Sequence, residues 1–346
     1  MSHRIPDQRF NSYDHEKLPQ ISRRGLLAGL GMIAAGSILV GCTPTTPTQP
    51  SPRPTHSSPE NHSSTPKPEV TPDPPEVQKF PDTRFETAAS FSQDFSRYKG
   101  ETLSTKDWNI LDGPAPANGE AEYYTPRADN LRIENGVLIL EARAESYKGK
   151  DYTSARVDTR AKHDFKYGKF EITAKAPNGV GTWPAIWMMP TNDIYKGYPI
   201  PKNNNSPTYL NGEIDILEAI GSYPNVVYGI AHALKDPTVS DYPAKYYNTV
   251  TIPDMPDTFH TYGLAWTPQT LEFSVDGKVF YHVEKQPSDD YTRWPYDQPY
   301  HLILNLALGG SWAGREKDKF PPDGINKSIL PAQMAIESIN YFPIAS

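Results

Sequence analysis

The six residues Glu213-Ile214-Asp215-Ile216-Leu217-Glu218 place three carboxylates among three large aliphatic side chains. Ile and Leu in such a run favour an extended strand, whose side chains alternate between two faces. Glu213 and Asp215 then share one face, and Ile214 and Ile216 the other. Strict alternation would turn Leu217 to the acidic face and Glu218 into the core, where an unpartnered carboxylate is costly. One extra residue, a β-bulge at Ile216-Leu217, returns Glu218 to the acidic face. Three acids on one face repel one another, which spreads their pKa values. That suits chemistry requiring one ionised and one protonated carboxyl.

Cleavage of a glycosidic bond has that requirement. A retaining mechanism uses two carboxyls about 5–5.5 Å apart, one as nucleophile and one as acid/base. Residues four apart on a strand have Cα atoms roughly 13 Å apart, at about 3.3 Å per residue. Two Glu side chains leaning inward close most of that gap around a sugar. A short Asp between them hydrogen-bonds one without blocking the substrate. Taken alone, the motif also reads as a solvated acidic strand edge or a calcium site.

The elements that must hold these acids are strands. Asn130 to Glu134 leads through Asn135-Gly136 into Val137 to Ala142, a hairpin with the strongest short turn signal. Leu271 to Val275 runs through Asp276-Gly277 into Lys278 to Val283, a second hairpin. Lys169 to Lys175 alternates cleanly, and Leu302 to Leu308 is apolar on both faces, so it lies between layers. No long helical period is visible. Many short strands at regular spacing predict an all-β, two-sheet antiparallel sandwich, with jelly roll the leading topology.

Composition narrows the partners. The chain has 346 residues and formal net charge -7, which argues against nucleic acid, since that needs a basic face. It has 21 Tyr and 6 Trp, a supply of flat rings suited to sugars, although most aromatics in any protein are core. One Cys excludes an internal disulfide. No His/Cys cluster has zinc spacing, and neither a phosphate-cradling glycine loop nor GxSxG is present.

The N-terminus reads as a targeting segment. Arg23-Arg24 precedes an uncharged run from Gly25 to Val40. That run is shorter than the roughly 20 residues a spanning helix needs, and fits a signal h-region. It ends in Leu39-Val40-Gly41-Cys42. This resembles a bacterial lipobox with Cys42 as the lipidated residue, and the arginine pair resembles a Tat signal, with a Sec signal the other reading. Residues 1–41 are expected to be the export signal. Residues 42–81 are dense in Pro, Ser and Thr and are expected to form a disordered stalk. Residues 85–344 are expected to be the folded domain. The protein is then exported and lipid-anchored to a bacterial cell membrane, facing outward, and a monomer is expected.

Gly181-Thr182-Trp183-Pro184-Ala185-Ile186-Trp187-Met188-Met189-Pro190 precedes the acidic motif, and His260 to Pro268 and Leu302 to Trp312 follow it. Asn118 to Thr125 and Tyr152 to Arg156 extend the set upstream. Together these blocks resemble family 16 glycoside hydrolases, in particular the laminarinase-like endo-β-1,3-glucanases. The resemblance runs from about Phe91 to Phe342. It implies a curved jelly roll with a concave substrate cleft, Glu213 as nucleophile, Glu218 as acid/base and Asp215 as the assisting acid. In the family the bulged motif goes with laminarinases and the shorter form with lichenases.

Further residues follow from the same blocks. Trp183, Trp187 and Trp312 are candidate sugar platforms, each with core packing as the competing reading. Asn118 and Arg156 match polar positions of the family's cleft. His232 lies on a strand just after the motif, within reach of the acids, and Tyr124 is a further candidate. Family members often bind a structural calcium, and the matching positions here are Asp94, Gly136 and Glu337, with both acids changed in length. Calcium tolerates variable oxygen geometry, and catalysis needs no cofactor. Glu122 stands where relatives often carry Gln, adding a fourth carboxylate near the cleft. The implied activity is retaining, endo-acting cleavage of β-1,3-glucan. The alternatives are the same chemistry on mixed-linkage glucan, agarose or carrageenan, and a non-catalytic glycan-binding protein.

Overall fold

Both turn dipeptides make the hairpins their chemistry dictates. Asn135 and Gly136 adopt φ of 51° and 81°, and Asp276 and Gly277 adopt 50° and 74°. Positive φ at both central residues matches the right-handed twist of the flanking strands. A computed structural model of the protein describes residues 84–98, 102–199, 209–234 and 247–346. The described residues all belong to one compact unit.

They form two sheets. One has seven strands in the order Tyr247–Thr251, Val226–His232, Glu213–Ala219, Thr182–Pro190, Tyr300–Leu308, Arg156–Asp158 and Asn109–Ile110. The other has eleven strands, with Gly168–Lys175 flanked by His260–Trp266 and Ala332–Phe342. Pairing is antiparallel except where Glu122–Tyr124 lies parallel to Lys150–Ser154. Helix among the described residues amounts to Gly310–Ala313 and two single 3-10 turns. The expected all-β sandwich is the fold found.

The core lies between the sheets. Ile214, Ile216 and Leu217 from the acidic strand pack with Phe170, Tyr262, Leu264 and Phe273 from the opposite sheet. Leu302, Leu304, Leu306 and Leu308 point the same way. Ile303, Asn305 and Ala307 alternate with them, so they lie on the other face of the sheet. That second face is also covered, with Asn305 only 5% exposed. This accounts for the apolar pattern on both faces of that strand.

Candidate active site

The acidic strand is entered from Gly212, whose φ of 77° suits only glycine without strain. A Cβ there would sit 2.5 Å from the Tyr300 hydroxyl, which donates to the Asn211 carbonyl at 2.7 Å. From this start Glu213 faces His232 and Asp215 faces Ile230 on the next strand. The register then slips by one, and Glu218 faces Tyr228. Ile216 and Leu217 together oppose Gly229, which is the bulge expected at those two residues. Both bulge side chains are 0% exposed in the core, so all three carboxylates emerge on one face. Gly229 leaves room there, since a Cβ would lie 3.0 Å from both Phe273 and Phe280.

Each acid has its own surroundings. Glu218 Oε1 accepts a hydrogen bond from Trp183 Nε1 at 2.8 Å. Asp215 is 1% exposed, with Oδ2 3.3 Å from His232 Nε2. Glu213 Oε1 lies 3.8 Å from the same His232 nitrogen. The His232 ring stacks on Tyr209 at 4.3 Å and 7° between planes. Burial, and then the Asp215 charge, push Glu213 up to about 8, against the pull of His232 and Arg156. Burial, then Asp215, hold Glu218 well above the usual range despite the Trp183 N–H. Burial also raises Asp215 and lowers His232, the latter against the opposing pull of Glu213. Such a trio of carboxyls on one face cannot ionise fully near neutrality.

A wall of polar groups flanks the acids. Trp187 Nε1 donates to Asn305 Oδ1 at 2.7 Å, and Asn305 Nδ2 donates to the Tyr124 hydroxyl at 3.2 Å. The Arg156 guanidinium lies 4.9 Å over the Trp187 ring. Asn118 adopts φ of 57° and donates to Glu120 Oε1 at 3.2 Å. The Tyr124 hydroxyl donates to Glu120 Oε2 at 3.4 Å. Glu122 is 0% exposed, with Oε2 accepting the Leu308 N–H at 2.9 Å. Trp312 packs edge-on against Trp183, with centroids 5.5 Å apart.

Glu213, Asp215, Glu218, Trp183, Trp187, Trp312, Asn118, Arg156 and His232 therefore gather at one site. Tyr124 needs correction as a sugar-contacting residue. It is 0% exposed, so its ring has no free face, and its hydroxyl instead ties Glu120 to Asn305. Trp183 is 8% exposed, and its N–H holds an acid. Glu120, Asn305, Tyr209 and Tyr228 complete the site without having been singled out from the sequence. Asn305 carried a readable signal: a polar side chain inside an apolar run must find a buried partner.

Among the described residues, one group brings three metal-ligating atoms within 4.8 Å of one another, namely Glu213, Asp215 and His232. These are the groups that acid chemistry would use. Asp94, Gly136 and Glu337 belong to the opposite sheet and its turns. Asp94 Oδ1 accepts from the Ser96 N–H and hydroxyl, and Oδ2 accepts from Arg97 Nε at 2.8 Å. Both Asp94 oxygens are thus engaged within its own turn. Cys42 lies outside the described residues.

Residues 118–320 match the family described as glycosyl hydrolases family 16. A beta-glucanase of Rhodothermus marinus is 38% identical over 239 residues, covering 65% of this chain and 74% of its own. The X-ray structure of the laminarinase from Rhodothermus marinus superposes with TM-score 0.64 at 35% identity, covering 76% of this chain and 98% of that one. A mutant of a non-specific endo-beta-1,3(4)-glucanase from family GH16, solved with a 1,3-beta-D-cellobiosyl-glucose at its active site, gives TM-score 0.63 at 28% identity, covering 77% and 97%.

Proposed function

The chain belongs to glycosyl hydrolases family 16 and is a glycoside hydrolase, and from that premise we propose that it is an endo-acting β-glucanase that hydrolyses internal β-1,3-glucosidic bonds of laminarin-type glucans with retention. One observation carries the reading: three carboxyls share one face of a bulged strand, with different surroundings for each. Ionised Glu213 attacks the anomeric carbon while Glu218 passes its proton to the departing glycosidic oxygen. The C–O bond breaks and a glycosyl ester forms on Glu213. Glu218, now a carboxylate, takes a proton from water as that water attacks the anomeric carbon, breaking its bond to the Glu213 oxygen and freeing the Glu213 carboxylate. Asp215 lies between the two, and burial first, then the neighbouring Asp215 carboxyl, hold both pKa values up.

Replacing Glu213 by Gln keeps the shape and removes the nucleophile. Release of reducing ends from laminarin is expected to fall by about three orders of magnitude or more, with the melting temperature retained. Full activity in that variant would sink the assignment. A product profile on laminarin, lichenan and agarose separates β-1,3-glucan from the other substrates.

The reading extends to residues outside those described. The protein is exported by its twin-arginine segment, anchored by lipid on Cys42, and carried as a monomer on the stalk of residues 43–81. The lone Cys at the end of an uncharged run supports this.

A further inference from the structure

Aromatic rings continue past Glu218 in a direction that the acid chemistry does not use. Trp312 contacts Trp183 on one side and Tyr228 on the other, where the centroids are 5.1 Å apart at 71°. Tyr228 contacts Tyr247 at 5.8 Å and 51°. Exposure rises along this line, from 8% at Trp183 to 37% at Tyr247 on the edge strand.

The register sets the facing of these residues. Tyr228 is directly opposite Glu218, and Tyr247 is directly opposite Ile230, which is opposite Asp215. Opposed residues of antiparallel strands project to the same face. Tyr228 and Tyr247 therefore share the face of the acids, while Val227 packs into the core. From the acidic strand to the edge strand is two strand spacings, roughly 10 Å, the reach of about two sugar rings.

We propose that Tyr228, Tyr247 and Trp312 form a sugar-binding strip that holds the glucan chain beyond the cleaved bond, on the edge-strand side of Glu218. The proposal rests on the reading of the substrate as a β-glucan. Its occupant is the same polymer, because the strip is continuous with the acid site. Aromatic rings offer an apolar face to the C–H side of a pyranose, and a tyrosine hydroxyl serves the wet side. Edge-on and tilted contacts among the rings hold them in place before a ligand arrives, which lowers the cost of ordering them on binding.

The test uses the full chain carrying Glu213→Gln, so that β-1,3-linked oligosaccharides bind without being cut. Calorimetric titration with two-unit and six-unit oligosaccharides is compared with and without Tyr247→Ala. Loss of the ring is expected to weaken binding of the six-unit chain about tenfold and that of the two-unit chain by less than twofold. Tyr247→Phe keeps the ring and is expected to restore the six-unit affinity. Equal losses at both lengths, no loss, or a Phe variant as weak as Ala would each overturn the strip. A parent that binds neither oligosaccharide overturns the substrate reading and the strip with it. A parent that binds the six-unit chain as tightly as its Tyr247→Ala variant overturns the strip alone.

Discussion

Glu122 is fully buried, with the Leu308 N–H on Oε2, and Oε1 is left without a hydrogen-bond partner. Burial, then the charge of Glu120, push its pKa up to about 8. A carboxyl raised in the folded state stabilises fully below its unfolded value and loses that contribution as pH climbs to the folded one. For Glu122 that window runs from 4.5 to about 8, with about 1.4 kcal/mol lost per unit. Glu122→Gln keeps an oxygen for Leu308, turns an amide toward Glu120 and does not titrate. Urea unfolding at pH 5 is expected to place the two proteins close together. At pH 8 the variant is expected to be more stable by roughly 2–4 kcal/mol. A difference independent of pH would contradict the buried-proton reading. At this scale the residue types were legible and their partners were not. Asn305 advertises a need for hydrogen bonds, but the groups that meet it, Trp187 and Tyr124, are 118 and 181 residues away in the chain.

The bulge is the element on which the site turns. It was legible because Glu218 would otherwise enter a core that cannot solvate it. The strand resolves the conflict by giving both Ile216 and Leu217 to the core, each 0% exposed. Leu217→Ala is therefore expected to cost about 2–5 kcal/mol of stability, the range for emptying a buried leucine site. Chemical denaturation measures this directly, and a cost under about 1 kcal/mol would show that Leu217 is not a packed knob. The parallel pairing of Glu122–Tyr124 with Lys150–Ser154 was not legible. Short strands carry no sequence signal for direction, since the same alternation serves either pairing.

For the whole molecule, the proposed anchor predicts a location. Cys42→Ala is expected to move the protein from the membrane fraction to the soluble fraction on cell fractionation, because a single Cys offers no second lipidation site. An unchanged membrane fraction would refute the anchor. Alternating strands, Asn-Gly and Asp-Gly turns and the bulged acidic run determined the sandwich and the three acids from sequence alone, since these depend on local backbone preference and on where apolar side chains must go. Only the tertiary structure decided that Trp183 supplies its N–H to Glu218, that Tyr124 is hidden behind Glu120, and that Asp94 is engaged by Arg97. Contacts of that kind depend on which strands become neighbours, and neighbours are chosen by closing the two sheets over a shared core rather than by any short stretch of chain.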